Sequence, residues 1–186
     1  MKTCVIIILT VFALMIAAAL FEDETQAQAE ARPRQTEAVD SGQSETLYVT
    51  NVPAGYRDWK LISVAREEGE LNDIRAVLGN DAAVRTYREG KASFPDGAII
   101  ARLAWSLDAS EENNKSFGRS QSYVAGAPKN GVQFMVKDSK KYAATGGWGY
   151  AHFDNGKPAA ETVMQACFPC HQAIKDRDFV FTRYAR

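Results

Sequence analysis

Cys167-Phe168-Pro169-Cys170-His171, close to the C-terminus, has the Cys-x-x-Cys-His spacing that fixes a c-type haem to a polypeptide. Each thiol can add across one vinyl group, and the adjoining imidazole is then held under the iron as its proximal ligand. A single motif predicts a single covalent haem c, with Cys167 and Cys170 as attachment points and His171 as the metal ligand. A thioredoxin-like pair would instead open the first helix of a βαβ unit, and no such unit surrounds these residues. Zinc would have to recruit Cys167, Cys170, His171 and the one other histidine, His152, without the paired ligand spacing that structural zinc sites show. Zinc and a plain disulfide stay open as alternatives to haem.

The N-terminus points to export. Lys2 is followed by an apolar run from Cys4 to Phe21 and then by acidic, Gln-rich sequence, the pattern of a secretory signal. Ala27-Gln28-Ala29 offers a small-x-small cleavage site, so residues 1–29 are assigned to the signal peptide, with Ala17-Ala18-Ala19 as a second cleavage choice. An uncleaved membrane anchor is the alternative, since the run is close to the lower limit for spanning a bilayer. A periplasmic location follows, where c-type haem is attached and stray thiols oxidise. Of the three cysteines, Cys4 departs with the signal, leaving the motif pair. Residues 30–46 lack large apolar side chains almost entirely and read as a disordered linker, so the haem domain spans 47–186. With a formal charge of −1, the chain has no general attraction to nucleic acid or anionic lipid.

Along the domain, strands alternate with a few short helices. Asn80 or Asp81 can cap a helix through Glu89, with Val84 and Tyr87 on one face and Gly90 as the stop. Pro95-Asp96-Gly97 reads as a turn before a strand from Ala98 to Trp105. Gly131 to Val136 reads as another strand, followed by a short helix from Asp138 through Ala144 that Gly146-Gly147 breaks. Trp148 to Phe153 is a third, with Trp148, Tyr150 and His152 on one face, closed by the turn Asp154-Asn155-Gly156. The expected class is α+β and β-rich, an antiparallel sheet with a few short helices and a C-terminal haem motif. Only a short tail follows His171, whereas small electron-transfer cytochromes need a long downstream segment to deliver a methionine; Met135 and Met164 lie upstream. Four long periodic helices, the mark of a helical-bundle cytochrome c′, are not seen.

Several stretches together resemble the cytochrome P-460 family, which also contains the cytochromes c′-beta. They are Tyr56-Arg57-Asp58-Trp59, Ile74-Arg75, Phe94-Pro95-Asp96-Gly97, Val136-Lys137-Asp138-Ser139, Trp148 and Asp178-Phe179-Val180-Phe181-Thr182-Arg183-Tyr184. The resemblance implies a homodimer with one haem c per chain, five-coordinate iron and an open distal pocket. It also exposes two departures. Hydroxylamine-oxidising members attach a strand lysine to the haem edge; Arg102 falls at that position, and a guanidinium is a poor nucleophile that stays protonated. Where those members are similar in a distal carboxylate base, this chain has Gln133, and an amide cannot take the proton.

Arg102 and Gln133 are therefore the candidate distal residues. A cation in an apolar strand needs a partner, so Arg102 either donates to a bound ligand or forms a salt bridge to a carboxylate or propionate; Gln133 has the same two readings. Phe134, Phe94 and Leu71 are candidates for apolar pocket walls or ordinary core. His152 has two readings, a second axial ligand or a strand histidine at a sheet surface or dimer contact, and the second is preferred because the family pattern requires no second histidine. Tyr56, Trp59 and Trp148 read as packing, and Arg57, Arg75 and Lys137 as propionate partners or solvated cations. The first functional expectation is binding of nitric oxide or a related small ligand at open iron. The alternatives are an oxidoreductase acting on hydroxylamine or another nitrogen oxide, and simple electron transfer with a redox partner protein.

Overall fold

A computed structural model describes residues 48–185; the expected signal peptide and the whole of the expected linker lie outside the described residues. Six strands form one antiparallel meander in chain order: β1 Lys60–Glu67, β2 Asp73–Gly79, β3 Ile99–Ala109, β4 Tyr123–Lys137, β5 Trp148–Asp154 and β6 Lys157–Pro158. The expected β-rich α+β class is thus the observed one. The helices are α1 Asp81–Arg88, α2 Glu111–Phe117, α3 Glu161–Gln165 and α4 Cys167–Gln172.

Local chemistry accounts for the punctuation. The Asn80 side chain accepts from the backbone N–H of Ala83 at 3.0 Å, capping α1, and Gly90 leaves the helix at φ 64°. The turn at Asp96-Gly97 uses a positive φ of 84° at Gly97. The segment after β4 differs from expectation. Asp138 caps with its carboxylate, accepting from Lys140 and Lys141 N–H at 3.1 and 2.9 Å, but only a turn and a short 3-10 segment, Ala143–Thr145, follow. Gly146 and Gly147, both at positive φ, end it too soon for an α-helix. Strands β3 and β4 also run further than their apolar stretches, because their outer halves pair with each other across bulges.

Each face of the sheet carries its own core. One face gathers Ile62, Val77, Ile100, Met135, Trp148 and Tyr150 with Val84 of α1, Phe94 and Val180. The opposite face gathers Ala101, Leu103, Phe134, Ala151 and Phe153, against which Tyr56 and Trp59 pack. Trp148, Phe134, Phe153 and Ile62 are the largest fully buried apolar side chains, each contributing about 1.5–3 kcal/mol. The C-terminal tail returns over the first face. Ala185 N–H donates to the Ile62 carbonyl at 2.9 Å, and the Tyr87 hydroxyl donates to the Thr182 carbonyl at 3.0 Å.

Candidate functional site

Helix α4 carries Cys167, Cys170 and His171, and spacings of three and four residues put all three on one helical face. Cys167 is half-buried against the first core, Cys170 is exposed, and both are free thiols. Burial, with Cys170 nearby, holds the Cys167 thiol above its ordinary range. The His171 ring packs 5.0 Å from the Tyr150 ring and 5.1 Å from Phe181, centroid to centroid. Its Nδ1 lies 2.6 Å from the Phe179 carbonyl oxygen. A carbonyl only accepts, so Nδ1 carries the proton and Nε2 keeps its lone pair for a metal. Burial pulls the imidazole below its usual pKa, and the Phe179 bond opposes that shift.

The carbonyl of Phe179 is delivered by a tight turn. Asp178 and Phe179 both sit at positive φ, 49° and 64°, and Asp178 is tied down from three directions. Its Oδ1 accepts from Lys137 Nζ at 2.6 Å, its Oδ2 from Phe94 N–H at 2.7 Å, and its backbone oxygen from Trp148 Nε1 at 2.8 Å. Lys137, expected as a propionate partner or a solvated cation, is instead buried, with its ammonium 4.9 Å over the Trp148 ring. The Phe179 ring lies so close over Gly146 that an added Cβ would sit 2.2 Å from it. Replacing Gly146 with alanine is therefore expected to cost about 1–3 kcal/mol and to loosen the hold on His171, read by thermal melting and by altered haem spectra.

Strand alternation puts Arg102, Gln133 and His152 on the same sheet face as Met135 and Tyr150. Arg102 pairs with Gln133 and Gln133 with His152 in the strand register, one same-face step along from Ile100, Met135 and Tyr150. Both expected distal residues thus stand on the face where His171 packs. Arg102 has a protein partner, since its Nη2 donates to Asp73 Oδ2 at 2.6 Å while its Nη1 donates to Gln133 Oε1 at 3.2 Å. Burial, then the charge of Arg75, lowers the Arg102 pKa from its ordinary value, and Asp73 opposes this. His152 places Nε2 3.3 Å from Asp154 Oδ1.

The proposed walls are redistributed. Phe134 is core on the opposite face, Phe94 is core beside Trp148, and Leu71 is 42 % exposed in the β1–β2 connection. Arg57 stacks over Tyr56, and Arg75 is bound to Asp73 and Glu67. Asp73 was not among the expected site residues; its alternation with Arg75 and Val77 in β2 was the available signal. Two open clefts beside α1, lined in common by Arg85 and Glu89, include none of the motif residues. Among the described residues no three His, Cys, Asp or Glu side chains gather as a metal-ligand group.

Compared with known protein families, the sequence matches cytochrome P460 over residues 53–182. The chain belongs to the cytochrome P460 family. Among curated proteins none matches it. A P460 protein is a haem iron cytochrome, and the residues around α4 fit that group. Tyr150 has the one buried side-chain oxygen or nitrogen among the described residues that lacks a hydrogen-bond partner, and its ring lies against His171. Such an orphan beside an imidazole with a free Nε2 is what a site shaped around an additional group presents. Phe181, edge-on to His171, is 52 % exposed, so apolar surface is also left to be covered there.

Proposed function

We propose that this P460 protein is an exported mono-haem c-type cytochrome that binds a small ligand such as nitric oxide at an open iron position. Cys167 and Cys170 would hold the haem through thioether bonds, and His171 Nε2 would ligate its iron. The haem supplies an iron centre that takes up a diatomic or nitrogen-oxide ligand. The rest is done by the chain. Phe179 fixes the His171 tautomer and orientation, and the Asp178 turn fixes Phe179.

One observation carries the ligand-binding reading: Arg102 and Gln133, both half-buried, share the face that His171 occupies and are weak metal ligands, while of the stronger ligands on that face His152 turns its Nε2 to Asp154 Oδ1 at 3.3 Å and Met135 is packed in the core. The hydroxylamine-oxidising alternative draws less support. Asp73, the carboxylate that holds Arg102, is fully buried and bound by two guanidiniums, which leaves it poorly placed to accept a substrate proton. Export, a homodimeric state and a redox partner protein belong to the same proposal and rest on the leader pattern and the family resemblance.

Titrating the reduced holoprotein with nitric oxide tests the reading. The expected result is stoichiometric formation of a nitrosyl species with a single axial transition in the optical spectrum. A reduced spectrum indifferent to the gas would leave electron transfer as the better account.

A further inference from the structure

Asp73 belongs neither to the motif helix nor to its supports, yet it is wholly buried. Its Oδ1 accepts from Nε and Nη2 of Arg75 at 2.9 and 2.8 Å, and its Oδ2 accepts from Nη2 of Arg102 at 2.6 Å. Arg75 also reaches Glu67 at 3.2 Å, so two cations and two carboxylates balance in one network. The second Nη of Arg102 passes the constraint on, donating to Gln133 Oε1 at 3.2 Å.

Orientation follows from donor chemistry. Arginine has no acceptor, so an amide facing it must turn its oxygen toward the guanidinium and its NH₂ away. Gln133 is thereby left offering donors, and Arg102 keeps further N–H groups beyond the two used here. Were Arg102 released, the amide of Gln133 could rotate and present its oxygen instead. Which way the amide points is thus decided by whether Arg102 is held, and Asp73 holds it.

We propose that Asp73 is a positioning residue that sets ligand selectivity: by clamping Arg102 it turns Gln133 so that these two side chains present hydrogen-bond donors and not an amide oxygen. Such a wall suits small anions that still accept hydrogen bonds when bound, the class of nitrite and fluoride, over ligands that must surrender a proton. The inference rests on the reading of His171 as axial ligand to an open iron. Charge-assisted donors are roughly twice as strong as neutral ones, so the arginine contributes most of the discrimination.

The experiment compares ferric wild-type holoprotein with Asp73→Asn, an isosteric change, in titrations with fluoride, nitrite and imidazole, and compares the C–O stretch of the ferrous carbonyl complexes. Anion affinity is expected to fall by about tenfold or more in the variant. Imidazole affinity should hold, and the C–O stretch should rise as donors leave the bound ligand. Because Asp73→Asn takes a carboxylate from two half-buried guanidiniums, of which Arg75 keeps Glu67, Arg102→Lys serves as a second variant. Lysine keeps the charge beside Asp73 but lacks the fork that reaches Gln133, and the same direction of change is expected. Unchanged anion affinity and C–O stretch in either folded variant would overturn the role of Asp73 alone. Wild-type protein that takes up neither fluoride nor carbon monoxide would overturn the open-iron reading, and this inference with it.

Discussion

Replacing Asp178 with alanine is expected to destabilise the protein by roughly 3–5 kcal/mol, because it strands a buried ammonium. Lys137 Nζ has Asp178 Oδ1 at 2.6 Å, both side chains are only about a tenth exposed, and the nearest other acceptor is the Gly146 carbonyl at 3.2 Å. The same substitution orphans the N–H of Phe94 and removes an acceptor near Trp148 Nε1. It also puts alanine at φ 49°, a left-handed conformation that aspartate and asparagine tolerate better. Asp178→Asn should recover part of the loss, since it keeps an acceptor for Phe94 and suits the backbone. Denaturant unfolding of the two variants measures the difference. A loss under about 1 kcal/mol for the alanine variant, the scale of an exposed ion pair, would show that Lys137 is not dependent on this partner. A functional consequence travels with the structural one. Asp178 precedes the residue whose carbonyl orients His171, so ligand-field bands should broaden or split in any folded variant.

Converting Cys167 and Cys170 together to serine is expected to abolish haem that survives denaturation. A hydroxyl does not replace a thiol in adding across a vinyl group, so the double variant has no covalent link. Each single variant should keep one thioether, with lower yield and a red-shifted reduced α-band from the unsaturated vinyl. The two need not be equal. Cys167 is half-buried beside Val163, with its Sγ 3.8 Å from that carbonyl, whereas Cys170 is exposed. Denaturing gels stained for haem make the comparison. Equal staining of the double variant and the parent would remove both cysteines from the site.

Much of this architecture was legible in the residues because local chemistry and tertiary packing agree there. Asn80 and Gly90 bracket α1, and the alternation of Trp148, Tyr150 and His152 against Ala151 and Phe153 assigns both faces of β5 correctly. Strand β1 was not, and the reason lies in its environment. Its side chains are mostly exposed, with Ile62 alone fully buried, at the bulge between Leu61 and Ser63, so no clean two-residue period remains. The outer half of β4, Tyr123–Asn130, contains Gly126 and Pro128 and pairs with β3 alone, which argues locally for a loop. Strand β2 is equally faint in the sequence, and the site depends on it. Without that strand Asp73 and Arg75 had no face, and the carboxylate that clamps Arg102 went unseen. The role of Phe179 was equally hidden, since a backbone carbonyl leaves no mark in residue type. Phe134 shows the converse: as an aromatic beside Gln133 it suggested a wall, but adjacent strand residues face opposite sides.

The optical spectrum of the purified, resting ferric protein tests the central claim most directly. A haem held by Cys167 and Cys170, ligated by His171 and otherwise open should give a high-spin, five-coordinate haem c spectrum that added fluoride or nitric oxide changes. A low-spin, six-coordinate spectrum, or protein without a Soret band from a host able to attach c-type haem, would contradict it.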